Sequence, residues 1–185
     1  MSSLAKLCRA IDWFNERVGR IVAWLAVIMV LAQFTIVIAR YVFAIGSIPV
    51  QESIWYMHGI LFMVGAGYTL LYDGHVRVDI FYREATPRRK ALIDLMGVLF
   101  LLLPVCVAIL LLSWSYVLNS WRVLEGSTEV AGLPLIFGLK TVIWVFAVLL
   151  ALQGIALAGK AVLYLTGHAP YYSAASAVEP GRGEL

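Results

Sequence analysis

Apolar residues run through this chain in four long blocks, at about residues 21–43, 54–72, 91–118 and 137–163, with short polar stretches between them. A helix needs roughly 20 mainly apolar residues to cross a bilayer, and each block reaches or approaches that length. The second is the shortest; the third has residues to spare for tilt. The block opening at Ile21 is too long for the core of a signal peptide, and no small-residue cleavage site follows it, so it reads as a helix. Ahead of it, Leu4, Leu7, Cys8, Ile11, Phe14 and Val18 recur at near-helical spacing against Lys6, Arg9, Arg17 and Arg20. Two readings fit: an amphipathic helix lying on the membrane with its basic face toward anionic headgroups, or an extension of the first spanning helix. After Gly167 the periodicity stops, and the composition predicts a disordered tail. The expected organisation is a basic N-terminal segment over 1–20, a four-helix transmembrane domain over 21–165 and a tail over 166–185.

Composition removes the soluble alternative. Of 185 residues 62% are apolar and 14% charged, against roughly 45–50% and 25% in soluble proteins. A globule this small has too much surface to hide such a share of apolar side chains. The predicted fold class is an all-α membrane protein with four transmembrane helices. A disulfide scaffold, a disordered chain and a nucleic-acid module are excluded, and a net charge of +3 is too small to imply a polyanionic partner. The two cysteines, Cys8 and Cys106, fall at different expected membrane depths and read as ordinary thiols.

Basic residues set the orientation. Lys6, Arg9, Arg17, Arg20, Arg77, Arg83, Arg88, Arg89, Lys90, Lys160 and Arg182 fall on one side, leaving only Arg40, Arg122 and Lys140 of the fourteen for the other. Both termini and the 73–90 loop are therefore expected in the cytoplasm, and the 44–53 and 119–136 connections outside.

In lipid, close packing through small residues marks the sides of a helix that face protein. Ala147, Ala151, Gly154, Ala158 and Ala161 form such a stripe on the fourth block, with Leu149 expected to face lipid. Asp94, Gly97, Pro104, Ala108 and Ser115 form a comparable line on the third, and Gly65 and Thr69 a pair on the second, near His58 and Phe62. Pro104 predicts a kink. Trp55, Tyr56, Tyr72, Trp121 and Tyr164 read as interfacial anchors.

Chemistry is sparse. There is no Cys-x-x-Cys, His-Glu-x-x-His, phosphate-binding glycine loop or Gly-x-Ser-x-Gly. A haem-type subunit or membrane anchor of a respiratory enzyme is the enzymatic rival. His58 and His75 lie about 25 Å apart along one segment at 1.5 Å per residue, so they cannot share an iron within the chain. No cofactor, metal or catalytic residue is expected. Central polar residues are limited to Gln33, Thr35 and a few serines, and no pair of broken helices offers a midplane site. Such a chain does not carry a solute alone.

Around the second block the residues become particular: Arg40-Tyr41-Val42-Phe43, Ile48-Pro49-Val50-Gln51-Glu52-Ser53-Ile54-Trp55, Gly65-Ala66-Gly67 and Asp73-Gly74-His75-Val76-Arg77-Val78-Asp79. Here the chain resembles the small integral-membrane, DctQ-like subunit of tripartite ATP-independent periplasmic (TRAP) transporters, over roughly residues 15–165. Ser120-Trp121, Glu125-Gly126-Ser127, Gly132-Leu133-Pro134 and Lys140 look like its mannitol/chloroaromatic-type branch. The resemblance implies a bacterial inner-membrane protein with two partners, a large permease subunit and a periplasmic solute-binding protein, in a sodium-driven importer of an organic acid or related solute. In it the small subunit is a fixed scaffold, and Glu125 and Glu129 become candidates for docking the binding protein. Arg40, Gln51, Glu52, Trp55, His58, Gly74, His75, Arg77 and Asp79 become candidates for the subunit or lipid interface. Arg40 and Glu52 sit at the two ends of one hairpin connection and are expected to pair or to grip a headgroup. Gly74 is expected to end its helix, His75 and Arg77 to bind phosphates or cap carbonyls, and Asp79 to compensate Arg77 or one of the basic residues of 83–90. His58 reads as a hydrogen-bonded packing residue.

Overall fold

The computed structural model describes residues 3–75, 82 and 84–170, and among them the regular elements are all helical. Helix α1 (Ser3–Phe43) is followed by α2 (Ile48–Val64) and α3 (Ala66–Leu71), α4 (Pro87–Gly97), α5 (Leu103–Arg122) and α6 (Ile136–Leu165). A π-helical turn, Val98–Leu102, joins α4 to α5, and α3 continues α2 beyond Gly65. Four helical rods are thus long and apolar enough to cross a membrane: Ser3–Phe43, Ile48–Leu71, Pro87–Arg122 and Ile136–Leu165. The second and third start earlier than their apolar blocks because Pro49 and Pro87, which suit a first helical turn, open them.

Of the two readings of residues 3–20, the structure has the extension. α1 is one helix of 41 residues, about 60 Å long and roughly twice the hydrocarbon thickness. Its apolar face packs on protein: Cys8 and Ile11 join Ala156 of α6 in a buried cluster with Leu4 and Leu152 against it.

Helix α6 is the centre, touching α1, α2, α3, α4 and α5. One of its faces is the predicted small-residue stripe. Ala147, Gly154 and Ala161 are buried and Ala151 and Ala158 half-buried; a Cβ on Gly154 would meet Leu102 Cδ2 at 2.6 Å. The opposite face was not visible as a stripe. It consists of Leu149, Gln153, Ala156, Gly159 and Leu163, all buried, and a Cβ on Gly159 would meet Cys8 Sγ at 2.6 Å. The expectation that Leu149 faces lipid is overturned, because that side of α6 meets α1 and α3.

The predicted line on the third rod is also corrected. Pro104, Ala108 and Ser115 are exposed, and a Cβ on Gly97 would have nothing within 4 Å. The buried positions are Ala91, Val98, Cys106, Val117 and Ser120. The expected bend at Pro104 takes the form of the π turn just before it. Proline offers no N–H to the carbonyl four residues back, and a wider turn relieves the clash. That turn inserts one residue into the helical period, so a face extrapolated from Gly97 to Pro104 leaves the bundle.

Candidate functional site

Apart from His58, near the middle of the second rod, the described candidate interface residues gather toward the two ends of the bundle. At the end that holds the α1–α2 turn and the α5–α6 loop, Glu52 is the organising group. Placed in the second turn of α2, the residue is only 8% exposed. Its Oε2 accepts the Leu133 N–H at 2.6 Å and its Oε1 accepts the Ser127 hydroxyl. The loop is folded to present both donors. Ser127 N–H donates to the Leu133 carbonyl at 3.1 Å, Gly132 N–H to the Glu129 carbonyl at 3.0 Å, and Glu129 N–H to Ser127 Oγ at 3.1 Å. Gly132 is required by space, since a Cβ there would lie 2.7 Å from Glu52 Oε1 and nearer still to Ser127. Tyr56, one turn beyond Glu52, donates to the Leu133 carbonyl at 3.4 Å.

The expected Arg40–Glu52 pair is therefore not formed. Glu52 is occupied by a loop 75 and 81 residues away, and Arg40 is exposed, without an ion-pair partner among the described residues. Arg40 instead borders a cavity of about 310 Å³ with Ile36, Ala39, Ile45 and Gln51. The turn is shaped by Ala44, which takes a left-handed conformation (φ 55°), and by the Ile45 N–H bonded back to Ala39 at 2.9 Å.

On the same end, Glu125 meets Lys140 Nζ at 2.5 Å, and that nitrogen lies 4.0 Å over the Tyr116 ring. The hydrogen bond from Lys140 holds the Glu125 carboxyl below the usual glutamate range. Trp121 Nε1 donates to Thr141 Oγ1 at 2.8 Å. Glu125 is thus tied to its own bundle, whereas Glu129 stands exposed at the loop tip beside Val130.

Gln51, Trp55 and His58 are exposed on α2. His58 stacks on Phe62 with centroids 6.4 Å apart, and faces outward, not inward as a packing residue would.

At the opposite end, which holds the start of α1 and the end of α6, a polar tie that no sequence motif marked joins the two helices. Asp12 Oδ2 meets Lys160 Nζ at 2.7 Å, Gln153 Nε2 donates to Asp12 Oδ1 at 2.9 Å, and Asn15 Nδ2 donates to Gln153 Oε1 at 2.9 Å. Asn15 and Gln153 are 1% and 2% exposed. Tyr72 adds a bond to Glu16 at 3.1 Å, and Glu16 pairs with Arg20. The available signal was the position of Asn15 four residues after Ile11, on the apolar stripe. Nearby, Asp73 and not Gly74 carries the left-handed turn (φ 56°) that closes α3. Gly74 instead makes room, since a Cβ would lie 3.1 Å from Thr69 Cγ2. His75 is exposed; Arg77 and Asp79 lie outside the described residues, as does the tail from 171 onward.

A family model described as the DctQ component of tripartite ATP-independent periplasmic transporters matches residues 27–163. The chain belongs to that family. A DctQ component is the small permease subunit of a TRAP transporter, an inner-membrane protein and not an enzyme. It works with a large permease and a periplasmic binding protein as a three-part system. No curated protein and no solved structure matches the chain. The matched range takes in the last part of α1, from Val27 onward, and nearly all of α6, together with the Glu52 clasp, and leaves out Cys8, Asp12 and Asn15 of the α1 extension.

Proposed function

We propose that this DctQ component is the fixed support of a sodium-driven importer of an organic acid or related small solute, in the mannitol/chloroaromatic-type branch. The carrying observation is where its buried polar groups go. Glu52 holds a loop, and Asn15 and Gln153 tie α1 to α6, so the polar interior stabilises the bundle and leaves no solute site built from it. The large permease would then hold the sodium and substrate sites and move against this chain.

The basic-residue bias supports an orientation with both termini cytoplasmic and the Glu52 clasp outside. There, Glu129 and Val130 at the loop tip form a contact for the binding protein, with Glu125 bracing the loop through Lys140. Arg40, at the rim of its cavity, is the group for a lipid phosphate. Gln51, Trp55, Gly74, His75, Arg77 and Asp79 belong, on this reading, to the subunit and lipid boundary. Alkaline-phosphatase fusions should be active in the 119–136 connection and inactive at the C-terminus. With that orientation, Glu129→Lys should slow uptake most at low ionic strength, because surface charge acts mainly on encounter rate. An active C-terminal fusion, or uptake by Glu129→Lys unchanged at every salt concentration, removes the docking role.

A further inference from the structure

Two polar side chains stand near the middle of apolar spans with no hydrogen-bond partner among the described residues. His58 lies in the 24-residue rod Ile48–Leu71, about 15 Å from its start at 1.5 Å per residue and so close to its midpoint. Gln33 lies as many residues before the end of α1 as His58 lies after the start of α2. Packing of α1 against α2 across a tight turn puts the two at one depth. Both are exposed, and neither hydrogen-bonds to another described residue. Thr35, beside Gln33, shows the usual solution: its hydroxyl donates to the Leu31 carbonyl at 2.8 Å.

Lipid tails offer no hydrogen bonds, so polar side chains at this depth face protein or a water-filled cavity. The residues flanking His58 on its face of α2 are aromatic. Trp55 and Phe62, three before and four after, are 70% and 74% exposed, and large aromatics are the side chains that anchor interfaces. The third rod differs. Along its middle the outward surface is Leu99, Phe100, Leu101, Leu111 and Leu112, which lipid satisfies without help, and its exposed Trp114, Ser115 and Tyr116 lie nearer its end.

We propose that the α1–α2 hairpin, at the level of His58 and Gln33, is the face on which the large permease subunit sits. The contact is a transmembrane helix offering hydrogen-bonding groups to the imidazole and the amide, with Trp55 and Phe62 packed against it. This rests on the chain's place in a three-part transporter and adds which face is used.

The test uses the complex of this chain with its large subunit, isolated through a tag on this chain. A photo-crosslinking p-benzoylphenylalanine replaces Phe62 in one preparation and Leu112 in another. Capture of the large subunit from position 62 and not from 112 is expected. In the double variant Gln33→Leu, His58→Leu, co-purified large subunit should fall roughly tenfold, as the loss of two interhelical hydrogen bonds implies. The tagged chain itself should keep its yield and single elution peak, since leucine suits a lipid-facing site. The proposal is overturned by capture from 112 alone, by capture of a second copy of this chain from 62, or by undiminished recovery of the large subunit in the double variant. If no large subunit accompanies the unaltered chain, the functional reading itself fails, a result distinct from these.

Discussion

Glu52 is a carboxylate held near the membrane edge by two donors from a loop distant in sequence. A buried carboxylate costs free energy unless its oxygens are bonded, and donors to an ionised acceptor make the stronger hydrogen bonds. Removing it leaves the Ser127 hydroxyl and the Leu133 N–H without an acceptor. Glu52→Ala should therefore destabilise the purified chain by about 2–4 kcal/mol in thermal unfolding followed by tryptophan fluorescence. Glu52→Gln, which keeps one acceptor oxygen, should fall between, and exposed Gln51→Ala should lie within about 0.5 kcal/mol of the unaltered chain. Gly132→Ala should resemble Glu52→Ala because its Cβ would enter the same space. Equal stability of Glu52→Ala and Gln51→Ala would remove the clasp from the list of stabilising features. The importance of Glu52 was legible in its place before a spanning helix; its partner was not. Charge complementarity pointed to Arg40 across the hairpin, but the bonds come from neutral groups that chain folding alone brings near.

At the scale of elements, α6 decides the packing because two opposite faces of it are covered. Its small-residue stripe was legible since only small side chains repeat there. The other face escaped notice because Leu149 and Gln153 are not small, and apolar side chains look alike whether they meet lipid or protein. The consequence is measurable. Gly154→Leu should drive Leu102 and Val98 away and Gly159→Leu should do the same to Cys8 and Leu4, each losing about 1–3 kcal/mol to overpacking. Leu149→Ala should cost about 2–4 kcal/mol, as for a buried leucine, while Ala151→Leu at a half-buried position should cost less. A Leu149→Ala variant as stable as the parent would return that residue to the lipid. On the third rod the misread face has a different cause. A π turn before Pro104 changes the period by one residue, and no pattern of sizes reports that change in advance.

Taken whole, the molecule is a central helix with a hairpin on one side and a long rod on the other, tied by polar groups at both ends. Four spans and their order follow from hydropathy, as do the end of α1, the end of α3 and both ends of α6, because lipid imposes a minimum length and one secondary structure on every crossing. The first three rods, by contrast, start ahead of their apolar blocks. The ties were less legible, since they join residues as far apart as Asp12 and Gln153 and use side chains that resemble ordinary surface polar groups in sequence. On the proposed reading a bundle so fastened holds still while a partner moves, since alternating access needs a binding site with two arrangements around it. The most direct measurement is sodium-driven solute uptake into proteoliposomes, with the binding protein supplied outside, comparing this chain alone, the large subunit alone and both together. No uptake is expected from this chain alone, and substantial uptake only from the pair, with the same order of preference among competing solutes whatever the amount of small subunit. Uptake by this chain alone, or full uptake by the large subunit without it, would show that the chain is not the support described.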